Sequence, residues 1–188
     1  MRARYIMRVA ALLVLGAALE AGGPAADPAG EQGAASENEL RAVFLLNFAR
    51  FITWPAERPD DPGPLVFGVA GDTGFAETLS RVVRGQTVRG KPLEVVALKG
   101  APPPPGVHIL YIASAQDRQI GGWLEASAKS AILTVSAAPD FCQQGGMIRM
   151  YSEDRRIRFE INLPSLQRSR LRASSRLLAL SKPAEGAK

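Results

Sequence analysis

The side chains able to do covalent or acid–base chemistry in this 188-residue chain are few: one histidine (His108), one cysteine (Cys142), and isolated Ser114, Ser136, Asp72 and Asp140 at expected strand ends. A nucleophile needs a base within hydrogen-bond reach, and a glycosidase-type site needs two facing carboxylates. These residues form neither a nucleophile elbow nor a carboxylate pair, so no catalytic residue is expected. A lone Cys with a lone His excludes a zinc cluster of the usual Cys/His kind, and no metal or cofactor is expected either. His108 stands inside the apolar run Val107-His108-Ile109-Leu110-Tyr111-Ile112, where it reads as a core or sheet-face histidine. Cys142 can form no disulfide within the chain; it reads as a buried inert thiol, with pairing between chains as the alternative. Gly68, Gly71 and Gly74 follow G-x-x-G-x-x-G rather than the dinucleotide-binding G-x-G-x-x-G, so an ordinary tight turn explains them.

Arginine is the abundant functional group. Arg149, Arg155, Arg156, Arg158, Arg168, Arg170, Arg172 and Arg176 crowd the last third against Glu153, Asp154 and Glu160. The pattern suits a solvated basic face, or a docking patch for an acidic partner or an anionic membrane surface.

Residues 1–26 read as a secretory signal. Arg2, Arg4 and Arg8 precede an apolar run from Val9 to Leu19 that is too short to span a bilayer comfortably as a mature helix. An uncleaved anchor is the alternative. The formal charge of +5 falls to +3 without this segment, a mild excess that, with export, argues against nucleic acid as a partner. Residues 27–36 read as a disordered lead-in, 37–182 as one domain with a full core, and 183–188 as a disordered tail.

The positioning elements begin with Leu40–Pro55. Leu40, Val43, Phe44, Phe48 and Phe51 recur at helical spacing, Ser36-Glu37-Asn38-Glu39 forms a capping box, and Pro55 stops the helix near Thr53. Asn47 falls inside the apolar stripe and is expected to tie the helix to a neighbouring backbone. Apolar runs at Leu65–Ala70, Leu93–Leu98, Val107–Ala113 and Ala131–Val135 read as strands buried on both faces, with helices over Phe75–Val83 and Gly122–Ala128. A hairpin follows, Met147–Met150 and Arg156–Asn162, preceded by Gly145-Gly146, whose backbone freedom admits geometry barred to other residues. Pro164 opens a short helix and Ser174 caps a last one. The fold class is therefore α/β: a compact single-domain sandwich with a mixed sheet of about six strands, helices on both faces and a C-terminal β-hairpin.

Five segments then carry a family resemblance: A-V-F-L-L-N-F-A-R-F-I-T-W-P (Ala42–Pro55), I-L-T-V-S-A-A-P-D-F (Ile132–Phe141), G-G-M-I (Gly145–Ile148), R-I-R-F-E-I-N (Arg156–Asn162) and S-S-R-L-L (Ser174–Leu178). In this order they resemble the successive motifs of the YfiR family of small exported bacterial proteins. The resemblance makes Asn47, Trp54, Pro55, Gly145, Gly146, Glu160 and Asn162 motif residues. It implies a compact α/β sandwich, often dimeric, that represses the periplasmic sensory domain of an inner-membrane diguanylate cyclase, with an outer-membrane lipoprotein as a second partner. YfiR proteins of the best-known type carry disulfides, which the single Cys142 rules out here. Candidate partner contacts are Arg155, Arg156 and Arg158 on the hairpin and Arg172 and Arg176 on the terminal segment. The competing expectation is a periplasmic small-ligand binding protein with a pocket at the strand ends near Gly71–Gly74 and Ser114.

Overall fold

The computed structural model describes residues 28–55 and 63–184, without the side chains of 28–36 and 115–117. The expected signal, residues 185–188 of the expected tail and most of the turn-rich 58–64 segment lie outside the described residues.

Alternating helical and strand periodicity builds the order α1 (Pro28–Phe51), β1 (Ile52–Thr53), β2 (Leu65–Ala70), α2 (Thr73–Val83), β3 (Thr87–Val88), β4 (Lys91–Leu98) and β5 (Val107–Ile112). A short 3₁₀ segment (Ser114–Gln119) leads into α3 (Ile120–Ser127) and β6 (Leu133–Ser136). Then come β7 (Ile148–Glu153), β8 (Arg156–Ile161), α4 (Leu163–Arg168), β9 (Arg172–Ala173), α5 (Ser175–Leu180) and β10 (Lys182–Pro183). The main sheet has eight strands in the order β10-β8-β7-β6-β5-β2-β4-β3. It exceeds the expected six because β3 and β10, two residues each, add edges whose hydrophobic signal is too short to read. Strands β4, β2, β5, β6 and β7 run parallel, and β7–β8 and β3–β4 are antiparallel. β1 and β9 form a separate two-stranded ribbon, Ile52 opposite Ala173 and Thr53 opposite Arg172.

Successive strand residues face opposite ways, and the sheet is covered on both faces. Phe67, Val69, Ile109, Tyr111, Leu133 and Val135 pack with α1 and α2 on one side. Ala70, Val107, Leu110 and Ile112 pack with Ile120 and Trp123 of α3 on the other.

Helix α1 departs from expectation in three ways. It starts at Pro28 rather than at the Ser36 box, so 28–36 is helical and not an irregular lead-in. Proline suits a first helical turn, and the Ala, Glu and Gln that follow are good helix formers. It ends at Phe51 because Ile52 and Thr53 pair with β9. Its buried residues are Ala42, Leu45, Leu46, Phe48 and Ala49, whereas Leu40 and Val43 are 48% and 44% exposed. From Ala42 to Phe51 only Asn47 and Arg50 are polar, so the sequence pattern could not choose between faces in this stretch. Asn47 shares the outer side with Leu40 and Val43; it is half-buried, and among the described residues its amide binds no neighbouring backbone, correcting the expected tie.

The expected tail also begins later than residue 183: Pro183 pairs with Ile161, and the Ala184 N–H donates to the Ile161 carbonyl at 3.2 Å.

Candidate docking surfaces

The C-terminal segment is built on Asn162. Fully buried, it donates from Nδ2 to the Cys142 carbonyl (2.8 Å) and its Oδ1 accepts the Ser165 N–H (3.0 Å), capping α4. Pro164 fills the first turn of that helix, where no N–H is needed. The chain then reverses at Arg170 (φ 60°), β9 pairs with β1, and Ser174 Oγ accepts the Leu177 N–H (3.2 Å) to cap α5. Helices α4 and α5 and the β1–β9 ribbon enclose an open groove of about 990 Å³. Its wall is Trp54, Pro55, Leu163, Leu166, Leu171 and Leu178, and the charged residues of the lining, among the described residues, are Arg170 and Arg172. Trp54 is held from behind, edge-on to His108 at 6.1 Å and under the Arg89 guanidinium at 5.8 Å, while Arg89 also donates to the Ile52 carbonyl. His108 is buried, and its Nδ1 accepts the Val66 N–H at 3.2 Å, as expected of a sheet histidine.

The hairpin offers a different surface. A two-residue turn at Asp154 (φ 50°) and Arg155 (φ 59°) joins β7 to β8. Phe159 points inward, 5.2 Å from Phe48 and 5.9 Å from Phe44. The other face carries balanced charge. Lys182 reaches Glu153 at 3.1 Å, Arg158 reaches Glu153 at 3.6 Å, and Arg149 reaches Glu160 at 3.5 Å while lying over the Tyr151 ring. The hydrogen bond from Lys182 to Glu153, with Tyr151 adding to it, raises the ammonium pKa. A polar cleft of about 340 Å³ opens beside Arg149, Glu160, Lys182 and Asp140, two cations facing two carboxylates. Arg158 is thus committed to an ion pair, and Arg155 and Arg156 are exposed at the turn. Arg172 lines the groove, and Arg176 is exposed on α5.

The YfiR/HmsC-like family model matches residues 38–182. The chain belongs to the YfiR/HmsC-like family.

The motif residues that carried the resemblance have physical roles in this YfiR/HmsC-like domain. Gly145 adopts φ 100°. Gly146 is needed for a different reason: a Cβ there would stand 2.2 Å from the Phe141 ring, which lies flat on the backbone. Cys142 is buried, its Sγ 4.0 Å from the Met147 carbonyl; burial, helped by nearby Glu160, pushes its pKa from 9.0 up to about 12. Such a thiol is protonated and unreactive at neutral pH.

Gly71 turns the chain at φ 81°, and the Asp72 carboxylate caps α2 by accepting the Phe75 N–H at 2.8 Å. Tyr111 lies buried at the end of β5, its pKa raised by burial and partly lowered by Arg41. A third cleft, about 410 Å³, lies between α3 and α4 around Glu125, Thr134, Ser165 and Arg168. Among the described residues, no three His, Cys, Asp or Glu side chains cluster to hold a metal, and no helix is long and apolar enough to cross a membrane.

The groove was not legible in sequence, because a ribbon of two two-residue strands leaves no periodicity. Only the Trp54-Pro55 and Ser174–Leu178 motifs, in retrospect its two ends, pointed there.

Proposed function

We propose that this protein is an exported regulator that represses the periplasmic sensory domain of an inner-membrane diguanylate cyclase, lowering cyclic-di-GMP, and that the Trp54–Arg172 groove is its docking surface. Membership of the YfiR/HmsC-like family supports a regulator of this kind. The observation that carries the placement is the joining of two family motifs, Trp54-Pro55 and Ser174–Leu178 through Leu178, in one apolar groove whose charged residues, among the described ones, are Arg170 and Arg172. Interfaces draw their affinity from apolar pockets that take an anchor side chain, with flanking charge setting orientation. An apolar or aromatic anchor beside an acidic residue is the complement.

Repression then follows by population shift. Binding one conformation of the sensory domain favours the inactive state by the difference in affinity for the two states and no more. Arg172 orients the partner at the groove and Arg176 extends that rim, while Arg155, Arg156 and Arg158 at the hairpin are a secondary contact. An outer-membrane lipoprotein that took the same groove would relieve repression by competition.

The test is titration of the purified periplasmic domain of a membrane-bound diguanylate cyclase from the same cell. Arg172→Glu is expected to weaken binding at least about tenfold, the size of one charge-assisted contact, and the Arg155→Glu, Arg156→Glu pair by less. Unchanged affinity in Arg172→Glu would remove the groove as the docking surface.

A further inference from the structure

Buried hydroxyls gather at the cleft between α3 and α4. Of the eight buried polar residues among the described ones, Ser127, Thr134, Ser165 and Ser169 border this opening of about 410 Å³. Two helix faces make its walls. Gly121, Leu124, Glu125 and Ala128 recur at three- and four-residue spacing along α3 and its C-cap, and Ser165, Arg168 and Ser169 do so along α4 and its C-cap. α4 turns its other side, Leu163, Leu166 and Gln167, to the Trp54–Arg172 groove. Ser127 Oγ donates to the Trp123 carbonyl at 2.8 Å, but the other three hydroxyl protons are unused. Thr134 Oγ1 accepts the Met147 N–H at 3.2 Å and Ser165 Oγ accepts from Arg168 Nη2 at 2.9 Å, yet among the described residues neither donates. Ser169 Oγ makes no hydrogen bond there at all. Buried hydroxyls are ordinarily satisfied, so three donors are left for whatever enters the cleft. At its mouth the exposed side chains of Glu125 and Gln144 are likewise without a hydrogen bond or ion pair among the described residues.

We propose that this cleft binds a small uncharged saccharide. The floor offers O–H donors, which suit the ring and hydroxyl oxygens of a sugar. The mouth offers the Glu125 carboxylate and the Gln144 amide, which take the hydrogens of adjacent sugar hydroxyls. A sugar hydroxyl gives and accepts at once, so one ligand satisfies both ends of the cleft. Half-buried Leu124 and buried Met147 supply the apolar surface for the C–H face of the ring. Charge works against ions of either sign. A cation meets three O–H donors and Arg168, and an anion meets Glu125 on entry. A carboxylate seated on the floor would exchange water for neutral hydroxyls, with the Arg168 guanidinium out at the exposed rim, and desolvation of a charge is costly. The volume falls within the range of small-ligand sites. This inference does not rest on the repressor reading, since no residue that lines the groove lines the cleft.

Isothermal titration of the exported chain tests it, with D-glucose, D-galactose, N-acetyl-D-glucosamine, maltose and cellobiose as neutral probes and D-glucosamine and D-glucuronate as charged ones. At least one neutral sugar is expected to bind with a Kd of about 1 mM or tighter, and the charged probes at least about tenfold more weakly. Gly121→Leu fills the cleft from the α3 side. A Cβ at Gly121 meets nothing within 4 Å and leucine is the better helix former, so this variant should fold as wild type, by circular dichroism and thermal melting, and lose binding. Ser169→Ala removes a hydroxyl that holds nothing else and should weaken binding about three- to tenfold, the size of one neutral hydrogen bond. Glu125→Gln separates sugar from cation: a sugar should lose less than about tenfold, whereas a bound cation would lose about a hundredfold. Heat from none of the neutral sugars at about 50 mM, tighter binding of glucosamine or glucuronate than of any neutral sugar, or undiminished binding in Gly121→Leu would each overturn the inference.

Discussion

Asn162 and Gly146 show how much single side chains, or their absence, set the C-terminal architecture. Asn162 satisfies a buried carbonyl and caps α4 at once. Asn162→Ala is expected to cost about 2–3 kcal/mol, the sum of a lost cap and an orphaned buried acceptor, measured by urea denaturation. Gly146→Ala drives a methyl into the Phe141 ring and should cost about 1–3 kcal/mol as overpacking. The Cys142 thiol makes a pH-dependent prediction. Its folded pKa, about 12, lies above its ordinary 9.0, so the unfolded chain releases this proton first. The contribution to stability is complete below pH 9, and stability declines with rising pH between 9 and 12. Thiol-reactive dye at pH 8 should label Cys142 only as fast as the protein opens. Sequence reading reached the inert thiol by default, since one cysteine permits little else. The double role of Asn162 was out of reach, because its acceptor belongs to a loop twenty residues earlier.

At the scale of elements, the buried parallel strands read well. Leu65–Ala70 was expected and found with those bounds, and the helices opened by Pro164 and capped by Ser174 stand where their signals put them. Those signals are local: a continuous apolar run, a proline in a first turn, a hydroxyl before a helix. What needs a partner in space was lost. In α1 the buried side is chosen by the sheet beneath it, not by the helix. Phe48→Ala should therefore cost about 3–5 kcal/mol, whereas Leu40→Ala, though equally apolar in sequence, should change stability by no more than about 0.5 kcal/mol. Equal losses at the two positions would contradict the placement of the helix. The hairpin turn gives a test of opposite sign. Asp154 and Arg155 both hold positive φ, so Asp154→Asn with Arg155→Gly should gain about 1 kcal/mol by relieving left-handed backbone.

At the scale of the whole molecule, the charge-balanced hairpin lies towards one edge of the sheet and the β3–β4 turn at the other, while the groove's Trp54 packs on His108 of β5 and under Arg89 of the β3–β4 turn. Motif order identified the family before any element was placed, because family motifs mark the residues that packing and caps demand. It did not point to the groove, because the two-residue strands of the β1–β9 ribbon leave no periodicity. The central claim is that this protein represses cyclic-di-GMP synthesis from outside the cytoplasm through the groove. The most direct measurement is cellular cyclic-di-GMP in a strain lacking the gene, complemented with the wild type, with Arg172→Glu, or with a copy lacking residues 1–26. The account predicts a rise on deletion that only the wild type reverses, with Arg172→Glu present in the periplasm at normal abundance. Unchanged cyclic-di-GMP on deletion, or full reversal by the copy without residues 1–26, would contradict it.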